Sequence, residues 1–114
     1  MNSNIKQSIS KAVKEGIPPY VVYMALQESP EILGLSEDVV ITEEIIEVLR
    51  TEYQSVKPIE ELSVEDVEVI DNLLAEEDNS IYQACIAFYI HTFFEEDTQE
   101  RTNNAFFYLV EKNR

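Results

Sequence analysis

At 114 residues the chain fits one domain able to bury a single core, and its 45% hydrophobic content separates it from disordered acidic tails. Two glycines and four prolines are too few turn formers for an all-β fold. Twenty-three acids against eight bases give a formal charge of −15, a field that repels nucleic-acid phosphates and anionic membranes and attracts basic protein surfaces.

In chain order the sequence reads as helices. Ile5, Ile9, Ala12 and Val13 recur at steps of three and four, which predicts a helix from Ser3 to Glu15 with Gly16 as its left-handed cap. Pro18 and Pro19 suit the first turn of a second, strongly apolar helix through Tyr20 to Glu28, stopped before Pro30. Glu31 to Val40 reads as a loop with a helical turn at most. Thr42 is then a good N-cap, Glu43 and Glu44 favour the positive first turn, and Ile41 can staple to Ile46. That third helix should bury Ile45, Ile46, Leu49 and Tyr53 and end near Gln54.

After a linker at Val56 to Glu61, Ser63 repeats the capping signal for a fourth helix running to about Glu76. Val64, Val67, Ile70, Leu73 and Leu74 are its inward set. Ser80 to Phe94 is then fifteen residues without a charge, set between Glu76-Glu77-Asp78 and Glu95-Glu96-Asp97. A helix apolar on every face has to be buried on most sides. A bilayer span would need about 20 apolar residues and basic flanks. The last helix starts at Asp97 with a capping-box partner at Glu100, and carries Ala105, Phe106, Leu109 and Val110 inward. Phe107 and Tyr108 widen its stripe toward an expected core cluster with Phe88, Phe93 and Phe94, the alternative being exposed aromatics that serve as interface anchors. The expected fold is therefore all-α: a compact single-domain bundle of five or six helices over residues 1–114, arranged around a central apolar helix at about 80–95.

The chemical inventory points away from catalysis. His91 is the only histidine, and Cys85, six positions away, lies on a different side of its helix, which removes a Cys–His nucleophile pair. Three before His91 stands Phe88 and not the Glu of a di-iron bundle, and no Gly-rich phosphate loop or Cys-x-x-Cys is present. The residues after Glu76 lack the central Gly and closing Glu of an EF-hand loop. No enzyme activity, cofactor or metal is expected. The lone cysteine and the missing apolar leader after Met1 fit a reducing cytoplasm.

Charge distribution carries the functional expectation. Lys6, Lys11 and Lys14 sit on the first helix, too small a basic face for nucleic acid, while Pro58 to Glu100 holds thirteen acids and no Lys or Arg. On the fourth helix Glu65, Glu68, Asn72 and Glu76 follow at three- and four-residue steps, with Asp66 and Asp71 alongside, and no lysine is interleaved to relieve the repulsion. Solvated helix faces usually mix both signs. Glu65, Glu68, Asp71, Glu76, Glu77 and Asp78 are accordingly the expected partner contacts, with Tyr82 and Tyr89 as aromatic anchors. The partner class that fits is a basic protein, above all a nuclease, whose substrate groove must be positive; immunity proteins and antitoxins block such enzymes by binding. The colicin-type immunity proteins are similar in size, charge and helix content, but carry a paired-tyrosine motif where this chain has Tyr20 and Tyr23 apart. A phage-type DNA mimic aimed at a restriction or CRISPR nuclease is the second expectation, and a scaffolding or chaperone module with an apolar groove the third.

Overall fold

The computed structural model describes residues 3–113, with the side chain of Glu77 outside that description. Among the described residues there are six α-helices and no strand: α1 Ser3–Lys14, α2 Pro19–Glu28, α3 Glu43–Val56, α4 Val64–Ala75, α5 Ile81–His91 and α6 Thr98–Lys112. Single 3-10 turns occupy Pro30–Leu33 and Glu76–Asp78. The all-α expectation stands. Internal packing groups the chain into two compact units, Met1–Pro58 and Ile59–Arg114.

In the first unit α1 packs along α3, and α2 packs against α1 and the Pro30–Leu33 turn. The buried set is Ile9, Ala12 and Val13 of α1, Tyr20, Val22, Ala25 and Leu26 of α2, and Ile45, Ile46, Leu49 and Tyr53 of α3. The α3 residues are those its periodicity selects. Gly16 ends α1 at φ 81°, with the Ile17 amide donating to the Ala12 carbonyl and the Gly16 amide to Val13, the Schellman arrangement. Gly34, at φ 74°, ends the Pro30–Leu33 turn by the same pair of bonds, from Leu35 to Pro30 and from Gly34 to Glu31. A side chain at either place would strain the left-handed backbone. Thr42 Oγ1 accepts from the Ile45 amide at 3.3 Å and starts α3 as its cap.

Tyr53 closes this unit by donating its hydroxyl to the Ile17 carbonyl between α1 and α2. Burial, with the neighbouring Tyr20 adding to it, pushes the Tyr53 phenol well above its ordinary 10.0. The folded chain therefore keeps this proton at a pH where the unfolded chain has lost it, so stability is full below about pH 10 and falls as pH rises beyond. Melting temperatures taken through pH 10 and above should drop more steeply for the native chain than for Tyr53→Phe, which has no phenol to ionise. Parallel slopes would show that this phenol does not govern the alkaline limb.

In the second unit α5 packs against both α4 and α6, and α4 also meets α6. The buried set is Ile70 of α4, Ala84, Cys85 and Phe88 of α5, and Thr102, Ala105, Phe106, Phe107, Leu109 and Val110 of α6. Ser80 caps α5 with both halves of a capping box: its Oγ accepts from the Gln83 amide at 3.1 Å, and Gln83 Oε1 accepts from the Ser80 amide at 2.9 Å. The helix stops at His91, three residues short of the end of its uncharged run. Thr92 turns back there, donating its hydroxyl to the Phe88 carbonyl at 3.1 Å. α5 is covered unevenly: Ala84, Cys85 and Phe88 are buried, Ile81, Tyr82, Ile86, Ala87 and Tyr89 are half-buried, and Gln83, Ile90 and His91 are exposed. Ile90 is 67% exposed, and Phe93 and Phe94 are 57% and 94% exposed instead of joining Phe88 in the core. Val64, expected inward, is exposed at the first turn of α4. Asp97 precedes α6 without a side-chain capping bond, since its carboxylate approaches Arg101 at 3.7 Å instead.

Candidate partner-binding surface

α4 sorts its acids onto two sides. Ser63 Oγ accepts from the Asp66 amide at 3.2 Å, which sets the first turn and places Glu65 and Asp66 where the helix dipole favours negative charge. The Asp66 side chain does not complete a capping box. It turns toward α6, where Arg101 grips it with both arms, Nε to Oδ2 at 2.9 Å and Nη2 to Oδ1 at 2.6 Å. The hydrogen bond to Asp66 raises the Arg101 guanidinium above its usual pKa, and Asp66 itself is buried. Five residues on, Asp71 does the same lower on α6. Its oxygens each accept from the Tyr108 hydroxyl at 3.0 Å, and Oδ1 accepts from Lys112 Nζ at 2.9 Å. Asp71 raises the Lys112 ammonium by that bond, and the same ammonium lies 5.8 Å from the Tyr108 ring centre.

These pairs take up Arg101 and Lys112, the two cations of the second unit among its described residues. That unit holds 14 Asp and Glu against 3 Lys and Arg, a formal charge of −11. Glu65, Glu68 and Glu76 remain on the outer side with Asn72, all exposed. Of the expected contacts, then, Glu65 and Glu68 are exposed on α4, Glu76 is exposed just past its end, and Asp71 is drawn to α6 as a structural partner.

Beyond α4 the chain turns through Glu76–Asp78, where Asp78 is exposed and adopts a positive φ of 50°. Asn79 fixes this corner, its side-chain amide donating to the Leu73 carbonyl at 2.7 Å. Glu77 belongs to the corner, but its side chain lies outside the described residues. Tyr82 and Tyr89 are both half-buried on α5. Tyr89 leads into an exposed aromatic group, the second of the two arrangements expected for these rings: its ring meets Phe93 edge-on at 6.2 Å, and Phe93 meets Phe94 edge-on at 5.5 Å. The available signal was position, since two adjacent phenylalanines directly before Glu95-Glu96-Asp97 stand at the end of a helix and not within it.

Burial pushes the Cys85 thiol well above its ordinary range, which keeps it protonated and unreactive. His91 is exposed on the last turn of α5. Among the described residues no three His, Cys, Asp or Glu side chains are grouped to hold a cation, and no helix is long and apolar enough to cross a membrane. No family model, curated protein or solved structure matches the chain, which leaves the chemistry of this surface to indicate function.

Proposed function

We propose that the chain is an acidic, non-catalytic inhibitor that binds and neutralises a basic protein, in the manner of an immunity protein or antitoxin that blocks a toxic nuclease. The observation that carries this reading is the separation of charge on α4. Asp66 and Asp71 take the available cations, while Glu65 and Glu68 on α4 and Glu76 just past its end stay exposed without a compensating Lys or Arg among the described residues. Such an arrangement costs a few tenths of a kcal/mol for each like-charged neighbour, and that cost is relieved when a positive surface meets it. A nuclease groove is such a surface, because it has to hold phosphate. Long-range attraction then raises the association rate, and a fully desolvated carboxylate slows dissociation.

The test begins with a pull-down at low salt from the source organism, followed by identification of the retained protein and assay of its nucleic-acid cleavage with and without added inhibitor. Glu65→Lys with Glu68→Lys should weaken the complex by about tenfold or more in dilute salt, a difference that shrinks as salt screens it. Lys6→Glu with Lys11→Glu is the control and should leave binding equal or tighter. Equal losses from both pairs, or a retained protein that is itself acidic, would defeat the proposal.

A further inference from the structure

The last turn of α5 and the turn that follows it carry three large exposed apolar side chains. Ile90, Phe93 and Phe94 are 67%, 57% and 94% exposed, and the edge-on ring contacts join Tyr89, Phe93 and Phe94 into one continuous strip. Scattered apolar residues on a surface are ordinary, whereas a contiguous aromatic strip is not. The strip is also held in place. Beneath it the Thr92 and Thr98 hydroxyls lie 2.6 Å apart, Thr92 donates to the Phe88 carbonyl, and Thr98 reaches the Tyr89 carbonyl at 3.3 Å. The backbone of the turn adds the Glu95 amide to the Thr92 carbonyl at 2.9 Å and the Thr98 amide to Glu95 at 3.2 Å. Aromatic anchors on a backbone fixed in this way lose little freedom on binding.

The rim decides what covers the strip. Glu95, Glu96 and Asp97 follow Phe94 directly and are all exposed, with Glu100 one turn further. Arg101, the nearest cation in sequence, is gripped by Asp66. A second copy of this chain would bring the same acidic rim against its own, with −15 on each molecule. An anionic lipid surface is repelled for the same reason. A protein surface with an apolar recess bordered by Lys and Arg satisfies both the rings and the carboxylates.

We infer that the Tyr89–Asp97 segment is a docking surface, with Phe93 and Phe94 as anchors entering an apolar recess on a basic partner and Glu95 and Glu96 meeting the cations at its edge. This deepens the function proposed above and rests on the partner being basic. It shifts the centre of the contact from the carboxylates of α4 to the end of α5.

Two synthetic helical peptides of equal positive charge test it, one with a leucine stripe among its lysines and one with serines in place of the leucines. Binding is read by fluorescence anisotropy, and the contact is mapped by amide shifts in the 15N-labelled full chain. The lysine–leucine peptide should bind about tenfold tighter than its serine counterpart. The shifts it causes should centre on residues 89–97, and Phe93→Ser with Phe94→Ser should abolish the difference. Because both rings are exposed, the variant should keep the native circular dichroism; Ile90→Ser serves as a second, independent variant. If both peptides bind equally and the variants change nothing, the docking inference fails while the basic-partner reading stands. If neither binds, both fail. A dimer in sedimentation equilibrium that dissociates in the phenylalanine variant, or ring-dependent binding to neutral phosphatidylcholine vesicles, would overturn the inference in favour of a second copy or a lipid surface.

Discussion

Arg101→Met should lower the stability of the second unit by about 3 kcal/mol, because it leaves the Asp66 carboxylate buried with no cation to hold it. The Asp66 side chain is only 10% exposed, so water cannot take over from the guanidinium without opening the contact between α4 and α6. Urea unfolding followed by circular dichroism should show the midpoint moving down with its slope unchanged. The double variant Asp66→Leu/Arg101→Met should recover most of the loss, since replacing a buried pair by apolar groups of similar volume is often neutral or better. The cycle matters more than either single value. If the double variant is as unstable as Arg101→Met, the loss comes from packing of the arginine stem and not from a stranded charge. A single-variant cost below about 1 kcal/mol would mean that the pair behaves as a surface ion pair.

Phe106→Ala should be at least as damaging, at about 3–5 kcal/mol. Phe106 is fully buried on α6 and meets Phe107 edge-on at 4.9 Å, so truncation removes apolar contact and a ring–ring contact together and leaves a cavity. Phe94→Ala is the matched comparison: the same chemical change at a side chain 94% exposed should stay within about 0.5 kcal/mol of the native chain. Similar costs at the two positions would mean that Phe94 is covered in solution.

Local grammar was legible in the sequence because its physics is local. Thr42 and Ser63 cap the helices they precede, Gly16 ends the first, and the inward residues of α3 follow from its 3.6-residue period. The inner stripe of α6 was equally readable. What could not be read depends on residues far apart in sequence. Asp66 and Asp71 look like members of the acidic face until Arg101 and Tyr108 are known to lie opposite them, 35 and 37 positions away. The uncharged run from Ser80 to Phe94 shows that water is unfavourable for much of it, but not which side lacks a neighbour. Ile90, Phe93 and Phe94 were therefore assigned to a core that the fold does not extend to them. Whether Glu65, Glu68 and Glu76 meet a partner is a question about a second molecule, and the chain alone records only that they are left outside.

The division of labour along α4 has a consequence for how this protein can change over generations. Asp66 and Asp71 hold α6, so a substitution at either is felt by the fold. Glu65, Glu68 and Glu76 are exposed and hold no such bond among the described residues, so a change there should leave the three-helix packing as it was. Inherited variation can thus accumulate at the outer carboxylates while the inner pair is kept. On the function proposed above, a lineage could retune its partner one glutamate at a time, and each intermediate along the way would still fold.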